Sequence, residues 1–343
     1  MAAPAIDDLS APLTDDDKRL LTLAQRRLPI EPRPFRALGE AAGLTEDSVI
    51  ARLRSLKDKG FVRKVGPVFE PAALGLASEL GAARVAPDHL DRAGASVAAW
   101  PEVTHCYGRE HEVNLWFAGV APSPAWFASA AEQVARMPGV QGVWRLPTVR
   151  RFKIEVIFEL TPVAPMHNAT SRPHPDSSTP RLLDSPPFLR ALQSDLPLSP
   201  EPFRELAEKN GLQQEHVIET LAALVGSGAI RRYGALVSHR RLGFTANAML
   251  VMQAQQDRIE QAGARLAQSP HVSHCYQRPP FPGFPYNLYA MVHGRARGEV
   301  TAVAAQLAQS VGIGDWQALF STAEYRKSAP DYAALIRAKG GRG

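Results

Sequence analysis

The chain has 343 residues, 45% of them apolar, with 39 basic against 34 acidic side chains and a net charge of +5. That length accommodates two domains, or a pair of two-domain repeats with real cores, and the small positive excess suits nucleic acid or a small polyanion without choosing between them. The opening residues carry Asp7, Asp8, Asp15, Asp16 and Asp17 and no basic stretch followed by an apolar run, so no export signal is expected. Stretches such as Ala248 to Met252 are far shorter than the roughly 20 apolar residues a membrane helix takes, so the expected compartment is the cytoplasm. Cys106 and Cys275, the two cysteines, are expected to be reduced there.

Taken in chain order, an apolar 3.6-residue pattern through Asp17 to Gln25 and the segment Phe35 to Ala42 predict two short helices. Gly43 ends the second, and Thr45, Asp47 and Ser48 start a third, apolar at Val49, Ile50, Leu53 and Leu56 and stopped at Gly60. Three short helices around a glycine turn make a helix-turn-helix, and Phe61 to Val68 predicts a strand pair, its wing. A strand near Ala77 to Val85, a helix from His89 to Trp100, strands at Val103 to Tyr107 and Val113 to Val120, a helix from Pro124 to Met137 and a strand from Val140 complete a β-α-β-β-α-β order. That order is ferredoxin-like.

The same unit then recurs. Leu28-Pro29-Ile30 and Pro34-Phe35-Arg36 return as Leu196-Pro197-Leu198 and Pro202-Phe203-Arg204, and the shift holds through Gly43 and Gly211, Leu53 and Leu221, Gly60 and Gly228, Gly66 and Gly234, and Gly75 and Gly243. The second ferredoxin-like set is predicted at Ala246 to Gln253, Arg258 to Ser269, Val272 to Gln277, Tyr286 to His293, Arg297 to Val311 and Ile313 to Phe320. The fold class is therefore α+β: two tandem repeats, each a winged helix-turn-helix followed by a ferredoxin-like βαββαβ domain, forming an internal pseudo-dimer. The expected domains are a helix-turn-helix over 1–70, a ferredoxin-like domain over 71–160, a Pro/Ser/Thr-rich linker over 161–181, a second helix-turn-helix over 182–238 and a second ferredoxin-like domain over 239–343.

A helix-turn-helix raises the prospect of DNA binding, which needs Lys and Arg on the reading helix. The first copy carries Arg52, Arg54, Lys57 and Lys59, but Gly211 to Gly226 of the second has no Lys or Arg and instead carries Glu215, His216 and Glu219. A two-fold pair needs both heads, so the module is expected to serve packing and pairing.

Both halves also carry His-Cys-Tyr-x-Arg: His105, Tyr107 and Arg109 in the first, His274, Tyr276 and Arg278 in the second. On a strand these alternate residues share one face, which makes a cationic, hydrogen-bonding surface, while the two cysteines point the other way into the core. A single such triad is most often packing and surface; two copies in diverged halves point to a ligand site. The halves differ just beyond it. Glu110-His111-Glu112-Val113-Asn114-Leu115-Trp116 in the first faces Pro279 to Pro285 followed by Tyr286-Asn287-Leu288-Tyr289 in the second, which suggests one complete site and one altered copy. Arg150, Arg151 and Lys153 form a further cluster, echoed at Tyr325-Arg326-Lys327; a solvated edge strand explains it at least as well as anion binding. No structural metal motif, phosphate loop, dinucleotide fingerprint or nucleophile elbow is present. What remains is acid-base work by His, with Arg and Tyr holding carboxylates.

At these residues the chain resembles the siroheme decarboxylase family, whose members pair two Lrp/AsnC-like subunits and carry His-x-Tyr-x-Arg with Asn-Leu-Trp or Tyr-Asn-Leu-Tyr. The resemblance covers nearly all of the chain except the linker and implies a carboxy-lyase that fuses both partners. Its expected reaction removes CO2 from two acetate side chains of siroheme to give didecarboxysiroheme, on the way to heme d1 or ordinary heme. It implies no cofactor separate from the substrate, whose iron comes with it. The implied proton donors are His105, His111 and His274, with Tyr107, Arg109, Asn114, Trp116, Arg150, Arg151, Lys153, Tyr276, Arg278, Tyr286 and Asn287 binding substrate. A His could equally serve as an axial ligand to the substrate iron, and the sequence leaves both roles open. The expected partner is the tetrapyrrole, with heme d1 pathway enzymes or further copies of the chain as additional ones, no membrane, and DNA disfavoured; an Lrp/AsnC-type regulator is the alternative.

Overall fold

The computed structural model describes residues 13–163 and 186–340. The described part of the expected linker is thus limited to 161–163; the remainder lies outside the described residues. The chain forms two compact units, each drawing on both sequence halves: residues 1–73 with 157–242, and residues 74–156 with 243–343. Among the described residues no helix is long and apolar enough to cross a membrane.

The first unit holds both helix-turn-helix copies. Helices α1 (Asp15–Arg26), α2 (Pro34–Ala42) and α3 (Glu46–Asp58) precede strand β1 (Val62–Phe69). Thr14 and Asp17 cap α1 reciprocally, and Thr45 caps α3 by accepting from the Ser48 amide. Gly43 takes the left-handed conformation that ends α2, at φ 71°. The second copy supplies α6 (Pro186–Gln193), α7 (Pro202–Lys209), α8 (Gln214–Gly226) and β7 (Ile230–Val237). The strand pair expected as a wing within each copy is instead one strand per copy: β1 pairs antiparallel with β7, with Gly66 opposite Gly234. The backbone needs a partner for each strand, and the sister copy supplies it. Residues 157–160 also belong here, since Phe158 exchanges two hydrogen bonds with the buried Gln25 side chain.

The second unit is built on one antiparallel sheet. Its strands are β2 (Ala77–Val85), β3 (Val103–Arg109), β4 (Leu115–Ala121), β5 (Val140–Leu146) and β6 (Arg150–Ile154) from the first half, and β8 (Ala246–Met252), β9 (Val272–Gln277), β10 (Leu288–Gly294) and β11 (Trp316–Lys327) from the second. Their order is β5-β2-β4-β3-β11-β8-β10-β9-β6. A flat sheet of this width would hold its edges roughly 38 Å apart, yet the step from Leu146 at the end of β5 to Arg150 at the start of β6 spans at most about 14 Å. The sheet therefore curls, with one face turned inward. The outer face is covered by α4 (Leu90–Ala98), α5 (Pro124–Ala135), α9 (Ile259–Gln268) and α10 (Arg297–Ser310), which bury Val97, Val103, Cys106, Leu115 and Val134 in one half and Leu250, Leu266, Cys275, Leu288 and Leu307 in the other. The inner face carries a third core of Trp116, Leu146, Met249, Phe284, Tyr286, Tyr289 and Leu319, contributed by both halves. Helix α11 (Tyr332–Gly340) ends the unit.

The halves join by exchange of their last strands. The long β11 pairs with β8 of its own half through Trp316 to Phe320, then with β3 of the other half through Ser321 to Lys327. In the first half the same path is broken by Pro147 to Val149 into β5, which pairs with β2, and β6, which pairs with β9.

Candidate active site on the inner face of the curled sheet

Both His-Tyr-Arg triads lie on the inner face and form layered stacks. His105 stacks on Tyr107 at 6.2 Å between ring centres, and the Arg109 guanidinium stands 5.6 Å over that ring. In the second half His274 stacks on Tyr276 at 6.3 Å and Arg278 stands 4.8 Å over it. Both arginines are buried, and each anchors one guanidinium nitrogen on the carbonyl of the exchanged strand: Arg109 Nη1 donates to Leu319 O at 2.8 Å, and Arg278 Nη1 donates to Leu146 O. Burial pushes the Arg109 guanidinium down to about 10, still well above neutral pH, and lowers Arg278 in the same direction. The Arg109 Nε is buried with no hydrogen-bond partner among the described residues. Cys106 and Cys275 sit beneath the helices, their thiols directed at Gly94 O and Gly263 O and pushed up to about 12 by burial, so neither is a nucleophile.

The remaining sequence-selected residues separate into groups. Asn114 gives both amide edges to Val85, at 3.0 and 2.8 Å, and Asn287 gives both of its own to Ala254, at 2.9 Å each. These side chains lock strand ends, each through one donated and one accepted hydrogen bond. Trp116 is buried, its indole N–H on Val113 O, and packs with Tyr286 in the inner core around Phe284. His111 packs edge-on against Phe284 and accepts the Val113 amide at Nδ1, 2.9 Å away. With Nδ1 accepting, a ring proton lies on Nε2; burial, reinforced by Arg84 and opposed by Glu112, lowers the ring's proton affinity. On β6, Arg150 pairs with Glu260 of α9 and Lys153 donates to Ser269 O, so both lie on the helix-covered face, opposite the triads. Arg151 is opposite Tyr276 in the β6–β9 register.

One inner-face residue was not selected from the sequence. His293, near the end of β10, faces Ser273, whose hydroxyl oxygen lies 3.0 Å from His293 Nε2 and 3.0 Å from His274 Nδ1. Burial, together with the positive charges of Lys327 and Arg109, pushes the His293 imidazole down to about 4. Lys327 itself stands opposite His105 in the β11–β3 register. His293 has no like residue in the first half, and Lys327 was visible only as part of the Tyr325-Arg326-Lys327 echo of the Arg150, Arg151 and Lys153 cluster. The only hint was the His of Met291-Val292-His293 at the end of an otherwise apolar strand.

Two sister copies that share one curled sheet and present paired triads inside it define a fused pair of AsnC-like subunits. Family models agree: an AsnC-like ligand binding domain matches residues 73–153 and 241–326, and a siroheme decarboxylase NirDL-like helix-turn-helix domain matches 17–63 and 188–231. The chain is 32% identical to a siroheme decarboxylase of Hydrogenobacter thermophilus over 90% of its own length and 92% of that protein, and 39% identical to the siroheme decarboxylase NirDL subunit of Paracoccus denitrificans over 86% and 89%. One half of it is 37% identical to a siroheme decarboxylase beta subunit of Desulfovibrio desulfuricans, covering 42% of this chain and 91% of the subunit. The crystal structure of siroheme decarboxylase NirDL superposes with a TM-score of 0.68 at 28% identity, covering 96% of this chain and 99% of that one; a second structure of it, in complex with an iron-uroporphyrin III analogue, gives 0.66. The chain belongs to the siroheme decarboxylase family.

Proposed function

We propose that this protein is a cytoplasmic carboxy-lyase that removes CO2 from two acetate side chains of siroheme, working on the inner face of the curled sheet and using no cofactor beyond the iron the substrate brings. The observation that carries the reading is the duplicated His-Tyr-Arg stack on a face lined by buried, permanently charged arginines, in a chain whose relatives are siroheme decarboxylases. Loss of CO2 leaves an electron pair on the former acetate carbon, which the conjugated ring delocalises until a proton arrives. The arginines and Lys327 suit the other carboxylates of the macrocycle, and His105 and His274 suit proton delivery.

The regulator reading draws support from the helix-turn-helix alone, and three of the four basic residues of the first reading helix are already engaged. Arg52 pairs with Asp16 and Asp17, Arg54 donates to Leu198 O, and Lys57 pairs with Asp195; α8 carries no Lys or Arg. Anaerobic incubation of the purified protein with siroheme, followed by mass spectrometry, is expected to show a product lacking two carboxyl groups. Unchanged siroheme together with tight, salt-sensitive DNA binding would establish the regulator instead.

A further inference from the structure

The two inner faces are not equivalent. In the first half the Thr104 hydroxyl lies 3.0 Å from His105 Nδ1 and donates to Ala118 O at 3.2 Å. In the second half Ser273 holds the same place, 3.0 Å from His274 Nδ1 and 3.4 Å from Met291 O, and it also meets His293 Nε2 at 3.0 Å. Strand register shows what produces the difference: Asn247 stands opposite His293 where the first half sets Ser78 opposite Val120. Asn247 in turn accepts from Ser321 at 2.8 Å, and Ser321 is opposite Arg109. One face therefore carries a polar row across five neighbouring strands, from Arg109 through Ser321, Asn247, His293 and Ser273 to His274. The other is interrupted at Val120.

We propose that Ser273 bridges His274 and His293 into a proton relay, and that this relay makes the face it lines the productive one of the two. The inference rests on the decarboxylase reading, because that reaction consumes a proton at each turn: one C–C bond breaks, CO2 leaves, the electron pair stays on carbon, and a C–H bond forms. A hydroxyl has one proton to give and can accept at the same time. As His274 Nδ1 passes its proton to Ser273 Oγ, the serine proton passes to His293 Nε2; the hydroxyl is restored and one positive charge has moved between rings. The groups facing His293 set the direction of flow. Lys327 from β11 and Arg109 from β3 are cations, and His274 on β9 is the other ring of the relay. A proton on His293 is therefore disfavoured and is driven back through Ser273 to His274, the ring that delivers it to the carbanion. Ser273 acts through the histidines and is a positioning residue.

The test uses the full chain with Ser273→Ala, Ser273→Thr and His293→Gln. Ser273→Ala is expected to lower kcat for siroheme by about tenfold to a hundredfold, the low end of what positioned proton transfer contributes. KM should stay within about twofold, and the acid limb of the pH profile should move. Ser273→Thr, which installs the hydroxyl that the first half uses at Thr104, is expected to restore most of the rate. Imidazole NMR titration supplies a readout independent of turnover: His293→Gln should shift the His274 titration in wild type and leave it unmoved in the Ser273→Ala background. An alanine variant with the wild-type rate and pH profile, or titrations that are uncoupled in wild type, would overturn the relay. Coupled rings in a protein that leaves siroheme unchanged would instead retire the decarboxylase reading and keep the proton path.

Discussion

The depressed proton affinity of His293 ties the folded state to pH as well as to chemistry. Its ring falls from 6.5 to about 4 on folding, so the unfolded chain binds this proton more readily than the native one. The stabilisation is complete above the unfolded value and is lost as pH falls from about 6.5 towards 4. The full shift corresponds to about 3 kcal/mol, with about 2 kcal/mol already gone at pH 5. Urea unfolding at pH 7 and pH 5 is expected to show that loss in wild type and a smaller one in His293→Gln; equal losses in both would show that the ring is not held neutral. This residue also marks what the sequence could and could not reveal. The triads were legible because both halves repeat them, and their shared strand face followed from alternation. His293 was invisible to the same reasoning, since it matters where the halves differ, and Lys327 appeared only within a basic cluster that a solvated edge strand explained as well. Asn114 and Asn287 drew attention as polar residues in matched motifs, and their amides tie strand ends to Val85 and Ala254.

At the scale of elements, the helices and the βαββαβ order were readable from apolar periodicity and from glycine stops, with ends displaced by a few residues. The pairing of strands was not, because antiparallel partners from a sister copy carry the same alternation as partners from the same copy. Hence β1 reads as half of a local wing, and β11 as a strand ending near Phe320, seven residues before its true end at Lys327. The exchanged strands also hold the helices. Phe152 of β6 packs where a Cβ on Gly263 of α9 would stand, 2.4 Å from the ring, and Tyr325 of β11 does the same to Gly94 of α4. Gly263→Ala is expected to cost about 1 to 3 kcal/mol by overpacking, and Phe152→Leu in the same chain should recover part of it. Thermal denaturation of the four-member cycle checks this coupling; strictly additive losses would mean the helix shifts away without meeting the ring.

For the molecule as a whole, strand exchange makes each sequence half incomplete. Without the second half, β3 loses β11 and β1 loses β7; without the first, β9 loses β6. Each half alone would expose unpaired N–H and C=O groups along those edges, together with inner-face apolar residues such as Trp116, Met249 and Leu319, a combination that favours aggregation. Each half would also lose the carbonyl that anchors its buried arginine, Leu319 O for Arg109 and Leu146 O for Arg278, leaving a desolvated charge with one fewer partner. The covalent link between halves lies between residues 163 and 186, outside every element that makes these pairings. Separate alpha and beta subunits among the relatives fit that division. Co-expression of residues 1–170 with residues 171–343 is therefore expected to give a soluble one-to-one complex by size exclusion that turns over siroheme, whereas either piece alone should be insoluble or inactive. A soluble, monomeric half with activity of its own would show that the exchanged strands are dispensable and that one inner face suffices without the other half.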